Sequence, residues 1–133
     1  MTEETEKRFV IDSWAWIEYF DGTDAGSRVK EYVENKDNII FTTNVSLAEI
    51  VSKFLRRHHD PQDAINGIDT LSNVLSLDYE TAIFAGELHA EIKSHIKDFG
   101  LADAFTLATA RKQKAKIITG DSHFKGFPEA IMI

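Results

Sequence analysis

The sequence contains no cysteine, and only two prolines and seven glycines occur among its 133 residues. The absence of cysteine excludes disulfides, a thiol nucleophile and a cysteine-zinc site, and it suits a reducing cytoplasm, where we expect the protein to act. No apolar run approaches the ~20 residues that a membrane-spanning helix needs, and the acidic start is unlike a signal peptide. A hydrophobic content of 43% is enough for a core in a chain of this length, which excludes disorder as the main state.

Basic residues are fewer than acidic ones: the sequence has 15 lysines and arginines and 22 aspartates and glutamates, which gives a net charge of −7. This balance argues against a protein that coats nucleic acid through a positive surface. It still permits metal-bridged binding of one phosphodiester. The length predicts a single domain over residues 1–133, with a flexible tail over residues 1–7.

Short apolar runs alternate with helical patterns along the chain. The predicted strands are residues 8–12, 38–44, 74–77, 116–119 and 130–133. Four predicted helices cover residues 13–20, 24–33, 45–57 and 101–112. Two more lie between the last two of these: one is opened by Pro61 behind an Asp60 cap, and a long one ends at Gly100. The helix over residues 45–57 has one apolar face, formed by Leu47, Ile50, Val51, Phe54 and Leu55. This alternation predicts an α/β fold with a mostly parallel sheet that helices cover on both faces.

Two of the predicted strands end beside an aspartate. Asp12 closes the run that starts at Phe9, and Asp121 follows the last strand-like residues by one position. An aspartate after a strand is often a helix cap or a turn residue, and that explanation stays open for each one alone. Together they predict two carboxylates at the same edge of one sheet, the edge where α/β proteins bind ligands.

Two further acids lie in predicted helices. Asp103 belongs to a helix that is apolar on nearly every side, so its carboxylate needs a partner, a hydrogen bond or a metal. It also lies in the first turn, where an acid favours the helix dipole. Glu49 falls opposite the apolar face of its helix, so a solvated acid is the simplest explanation, although a wet groove would give the same pattern.

Four acids without cysteine or suitably spaced histidines indicate a site for a hard cation. Oxygen ligands suit Mg²⁺ or Mn²⁺, which bind a few carboxylates together with substrate phosphate. The cation also offsets the repulsion among crowded carboxylates. Such a site can hydrolyse a phosphodiester with metal-activated water.

Four stretches occur in this order along the chain: VIDS from Val10, TNVSLAEI from Thr43, GLADAFTLATA from Gly100 and ITGDSHF from Ile118. Together they make the chain resemble a PIN-domain ribonuclease, and most of all the VapC-type toxins of toxin–antitoxin pairs. The resemblance extends from Phe9 to about Phe127. The first helix departs from the pattern, because Trp14 and Trp16 stand where smaller side chains are expected, which would reshape the groove or dimer surface beside Asp12.

The resemblance implies a three-layer α/β/α sandwich and a Mg²⁺- or Mn²⁺-dependent endoribonuclease acting on RNA. It also implies a homodimer, and a small antitoxin protein that covers the site. Two supporting hydroxyl residues, Ser13 and Thr119, are implied as well, and each could equally be a cap or a strand-end residue. The implied catalytic and metal-binding residues are Asp12, Glu49, Asp103 and Asp121.

Basic residues near the end of the Glu49 helix are candidate RNA contacts, or else form a solvated helix end. His123 is interpreted as a loop residue with the option of a substrate contact. The candidate RNA contacts are Lys53, Arg56 and Arg57, beside His58 and His59.

Three other functions fit part of the pattern. A housekeeping PIN nuclease in RNA maturation would share the same chemistry. A non-catalytic PIN-like binding module would have no physical reason to keep four acids. A phospho-accepting domain of the response-regulator type usually carries paired acids after its first strand, whereas Ser13 follows Asp12 here.

Overall fold

The computed structural model describes residues 7–133, so the tail expected over residues 1–7 falls almost entirely outside the described residues. The strands are β1 (Arg8–Ile11), β2 (Ile39–Thr43), β3 (Asn73–Leu75), β4 (Lys116–Thr119) and β5 (Ala130–Met132). The helices are α1 (Ser13–Asp21), α2 (Asp24–Val33), α3 (Asn44–Arg56), α4 (Gln62–Leu71), α5 (Tyr79–Lys93) and α6 (Leu101–Gln113). A short 3-10 turn covers Ser122–Phe124. Over the described residues, no helix is long and apolar enough to cross a membrane.

The strands form one parallel sheet in the order β3-β2-β1-β4-β5, which confirms the predicted sheet. Val10 at the centre of β1 pairs with Phe41 of β2 on one side and with Ile117 of β4 on the other. The chain builds the sheet outward from β1 to β3 and then places β4 on the opposite side of β1. The strand order therefore reverses between β1 and β4, and a crevice opens outside their carboxyl ends.

Helices cover both faces of the sheet. Helices α1 to α4 pack on one face around the fully buried Trp16, and α5 and α6 pack on the other around Leu107. Successive β1 side chains alternate between the two cores, with Ile11 in the first and Val10 in the second. These layers confirm the three-layer α/β/α sandwich.

Two helix boundaries differ from the predictions. The long helix does not reach Gly100, because α5 ends at Lys93 and the chain then turns to bury Phe99, whose ring lies 6.0 Å from that of Phe124. Burial of this ring outweighs the continuing helical pattern. Helix α4 begins at Gln62, with Pro61 as its cap residue, although the Asp60 carboxylate does accept the Gln62 N–H at 2.9 Å.

Helix α3 does not bury a single apolar face as predicted. Ile50 is fully buried, but Leu55 is 57% exposed. Leu55 lines an open surface hollow of about 700 Å³ together with Leu47 and Val51. Apolar side chains extend around more of this helix than the core can cover, so part of the apolar stripe remains at the surface. We call the surface formed by Leu47, Val51 and Leu55 the α3 hollow.

Candidate active site

Asp12 lies at the carboxyl end of β1, where it is both buried and held in place. Only 6% of its surface is exposed. One carboxylate oxygen accepts the Ala15 N–H at 2.8 Å and caps α1, and the other accepts a hydrogen bond from the Thr119 hydroxyl. The helix-cap explanation for Asp12 is therefore correct, and the same residue also lies in the crevice between β1 and β4.

The environment of Asp12 disfavours its charged form. Burial raises the pKa of Asp12 from its ordinary value of 3.8 to about 7. The hydrogen bonds from Thr119 and Ala15 oppose this shift, whereas the negative charges of Asp121 and Asp103 add to it. These three carboxylates therefore share one local field, in which a positive charge would be strongly favoured.

A second group of side chains joins the start of α6 to the loop after β4. Asp103 Oδ2 accepts the Gly100 N–H at 3.0 Å, which caps α6, and lies 3.0 Å from Nδ1 of His123. The same Nδ1 atom lies 3.3 Å from Asp121 Oδ1, which accepts the His123 N–H at 2.9 Å. One imidazole nitrogen thus lies between the two carboxylates.

Thr119 connects this group to Asp12. Its hydroxyl donates to the Asp12 carboxylate, and its oxygen accepts the Asp121 N–H at 2.9 Å. Thr119 is completely buried, so these contacts fix its orientation. The two aspartates that follow β1 and β4 are held together by this one hydroxyl group.

Glu49 approaches the same place from α3. It is an exposed residue, as a solvated acid would be, yet it lines a groove of about 350 Å³ together with Ser13 and Asp121. Partial burial in the groove raises the pKa of Glu49, the Ser13 side chain lowers it, and the charges of Asp103 and Asp121 raise it again. Glu49 is therefore electrostatically coupled to the other acids.

The ligand atoms available in this cluster fit a hard divalent cation. One atom each from Asp103, Asp121 and His123 lie within 4.8 Å of one another. Across residues 7–133, Asp103 Oδ1 and Asp121 Oδ2 accept no hydrogen bond, so their lone pairs are free for a ligand. Carboxylate oxygens with one imidazole suit Mn²⁺, and the oxygens alone suit Mg²⁺.

Sequence reasoning missed the position of His123. The only available signal was its spacing, two residues after Asp121 and next to Phe124. The 3-10 turn over Ser122–Phe124 starts at Asp121 and brings the imidazole back to the preceding carboxylate, while Phe124 enters the core. The contact with Asp103 spans the tertiary structure and has no counterpart in the local sequence.

The groove that contains Glu49 is also lined by cations. Lys53, Arg56 and Arg57 all line it. Arg57 pairs with Asp21 at 3.0 Å, and no ion pair involves Lys53 or Arg56 within the described part of the chain. Two positive charges are therefore available to an anion that enters the groove.

The sequence model of one protein family, described as PIN domain, matches residues 9–130. This range includes all four acids discussed above. No curated protein sequence matches the chain significantly.

Several solved structures share the fold over nearly the full length of both chains. A toxin–antitoxin complex from Klebsiella pneumoniae has a TM-score of 0.72 at 20% identity, covering 92% of this chain and 95% of that chain. VapC20 of Mycobacterium tuberculosis, described as a sarcin-ricin loop cleaving toxin, has a TM-score of 0.67 at 21% identity, with coverages of 91% and 97%. DNA-bound VapBC from Salmonella typhimurium has a TM-score of 0.68 at 16% identity, with coverages of 95% and 96%. At such identities the likeness establishes the fold.

Proposed function

The chain belongs to the PIN-domain family, and on that premise we propose that it is a divalent-cation-dependent endoribonuclease that hydrolyses RNA phosphodiester bonds. The observation that carries this proposal is the convergence of Asp12, Asp103 and Asp121 at the crevice between β1 and β4, with Glu49 coupled to them from α3. A phosphodiester is an anion, so four carboxylates by themselves would repel it. They can promote its hydrolysis only if they bind a cation that offsets this repulsion.

We assign the cation, Mg²⁺ or Mn²⁺, to the four acids, with His123 Nδ1 as an additional ligand. When bound, such an ion activates water and neutralises charge on the phosphate. The protein's own contribution is positional. Thr119 holds Asp12 and the backbone of Asp121, while the Ser13 side chain acts on Glu49.

Lys53 and Arg56 are assigned to RNA phosphates on either side of the bond that is cleaved, and Arg57 joins them only by exchanging Asp21 for a phosphate. Because the whole chain carries a net charge of −7, nonspecific attraction to RNA is weak. Binding therefore depends on the cation held by the acids. We expect RNA affinity to fall sharply when EDTA removes it.

We further propose that this nuclease is the toxin of a VapBC-type toxin–antitoxin pair and acts in the cytoplasm. Structures with this fold come from toxin–antitoxin complexes, and the absence of cysteine suits a reducing compartment. The α3 hollow supports a protein partner, because the exposed Leu55 lies beside the half-buried Leu47 and Val51, and apolar side chains grouped at a surface mark interaction sites. We assign a second copy of the chain, in a homodimer, to this region, and a small antitoxin to the acidic site, which it would cover.

The test is cleavage of mixed RNAs by the purified protein with Mn²⁺ or Mg²⁺. We expect Asp12→Asn and Asp103→Asn to lower the rate by at least about 100-fold. Asp69→Asn is the matched control, because Asp69 is an exposed acid on α4, outside the groove. Cleavage that survives both site substitutions, or that continues in EDTA, would refute the proposal.

A further inference from the structure

Trp14 forms part of the wall of the groove that contains Glu49 and Asp121. It is half-buried, unlike Trp16, which is completely buried and donates from its indole nitrogen to Thr42 at 3.0 Å. Its indole lies against Gly120, the residue between β4 and Asp121. A large aromatic surface at this place is not needed to hold a cation.

The indole of Trp14 is fixed against the backbone of Gly120. A Cβ atom built at Gly120 would overlap Cη2, Cζ3 and Cζ2 of the indole, the last of these at 2.6 Å. Three consecutive ring atoms at nearly equal distance mean that Gly120 lies over the flat face of the ring, since an edge-on approach would bring only one atom close. The ring is therefore held in one orientation beside Asp121, and ordering it costs little entropy when a ligand binds.

Three cationic residues also line the groove. Lys53 and Arg56 project from α3, and Arg57 follows directly after that helix. Arg57 is tied to Asp21, and Arg56 Nε donates to Ser52 Oγ at 3.2 Å. The groove thus offers carboxylates, positive charge and a flat aromatic surface within one volume of about 350 Å³. These are the features that bind a single nucleotide: phosphate to the cations and base to the ring.

We propose that Trp14 is a stacking platform for a nucleobase beside the bond that is cleaved, and that it is a specificity-determining residue which favours unpaired over paired RNA. This inference rests on the proposed nuclease function. A base in a double helix is covered by its neighbours on both faces, and only an unpaired base can leave the stack to lie on a side chain. Stacking tolerates any base, so Trp14 selects for single strands and loops and not for a sequence.

The test compares Trp14→Leu and Trp14→Phe with the natural protein on two RNAs of the same composition, one unpaired and one folded into a stem. Leucine retains apolar contact with Gly120 but cannot stack, whereas phenylalanine can. We expect natural protein to prefer the unpaired RNA. Trp14→Leu should raise the KM for that RNA on the order of 10-fold with little change in kcat, and Trp14→Phe should stay within about threefold of the natural protein.

Tyr79→Leu is the matched control, because Tyr79 is an aromatic residue that is 81% exposed and does not line the groove. This substitution should change neither KM nor the preference for unpaired RNA. A second measurement does not depend on the leucine variant folding. Unpaired RNA should quench the tryptophan fluorescence of the natural protein, and the quenching should disappear in Trp14→Phe, which retains only the buried Trp16.

Unchanged KM in Trp14→Leu, or quenching that persists in Trp14→Phe, would overturn the stacking platform while leaving the nuclease function intact. Equal cleavage of stem and unpaired RNA would also overturn it. Absence of RNA cleavage by the natural protein would instead refute the proposed function, and the fluorescence measurement would still decide whether Trp14 binds unpaired bases.

Discussion

The hydroxyl of Thr119, at the end of β4, donates a hydrogen bond to the carboxylate of Asp12, at the end of β1. The same oxygen accepts the backbone N–H of Asp121 at 2.9 Å. Thr119 is fully buried, so water has no direct access to replace either contact. One small side chain thus fixes both aspartates that follow the two central strands.

Substituting Thr119→Val removes this hydroxyl while keeping the shape of the side chain. The Asp121 N–H and the Asp12 carboxylate each lose a partner, so we expect the free energy of unfolding to fall by about 1–3 kcal/mol. RNA cleavage should also fall, because Asp12 is no longer held. Urea unfolding and a cleavage assay measure the two effects. Thr119→Ser retains the hydroxyl and should lose less in both; equal losses in the two variants would contradict this role.

The raised pKa of Asp12 predicts how stability changes with pH when no cation is present. Burial raises this pKa to about 7 in the folded protein, against an ordinary value of 3.8. Since the folded pKa is the higher one, the stabilising contribution is fully present below about pH 3.8 and is lost as pH rises through about 7. In EDTA, we therefore expect the free energy of unfolding to decrease between about pH 5 and pH 8.

Asp12→Asn removes the titrating group and is the control for this pH effect. The difference between natural protein and variant isolates the contribution of Asp12 from that of every other group. Urea unfolding at a series of pH values provides the measurement. Identical pH profiles for the two proteins would show that Asp12 is not responsible.

The positions of Asp12 and Asp121 could be predicted from the sequence because each depends on local information. A short apolar run marks a strand, and the residue after it lies at the carboxyl end. Alternating strands and helices require parallel strands, which bring these ends to one edge of the sheet. Local pattern and a general rule of topology are enough to bring the two aspartates together.

Other features depend on what packs across the tertiary structure. A helical wheel predicts on which side of its helix Glu49 lies. It does not predict that a groove containing Asp121 lies on that side. It also predicts that Leu55 is buried, whereas 57% of this residue is exposed. The contact of His123 with Asp103 joins residues twenty positions apart through a turn whose path the local sequence does not specify.

The position of His123 Nδ1 between Asp103 and Asp121 predicts a preference for one metal. Imidazole nitrogen is a better ligand for Mn²⁺ than for Mg²⁺, which favours oxygen. We expect His123→Ala to weaken Mn²⁺ binding by roughly 10- to 100-fold and Mg²⁺ binding by less. Titration calorimetry with each ion measures both affinities. His95→Ala, at an exposed position outside the cluster, is the control, and equal losses for the two ions would contradict ligation by His123.

The α3 hollow predicts self-association that a single charge would disrupt. Leu55 is 57% exposed, so Leu55→Glu should change the free energy of unfolding by no more than about 0.5 kcal/mol. A charge in an apolar interface is costly, and we expect the variant to shift from dimer to monomer. Sedimentation equilibrium measures this shift. A natural protein that is monomeric at all concentrations, or a variant that stays dimeric, would rule out this surface for the homodimer.

The close contact between Gly120 and Trp14 predicts a strong coupling between these two positions. The backbone of Gly120 does not adopt the left-handed conformation, and the three atoms nearest to an added Cβ all belong to the indole, so overlap with that ring is the main penalty for an alanine there. We expect Gly120→Ala to lower the free energy of unfolding by about 1–3 kcal/mol. In a Trp14→Ala background the ring is gone, and the same substitution should cost less than about 0.5 kcal/mol.

Urea unfolding of the natural protein, the two single variants and the double variant completes this cycle. Gly86→Ala is the matched control, because Gly86 lies in α5 with no atom within 4 Å of its would-be Cβ. That substitution should stabilise the protein by about 0.5–1 kcal/mol, since alanine favours a helix more than glycine does. If Gly120→Ala costs the same with and without Trp14, the indole is not held against this glycine, and the stacking platform loses the contact that keeps it in place.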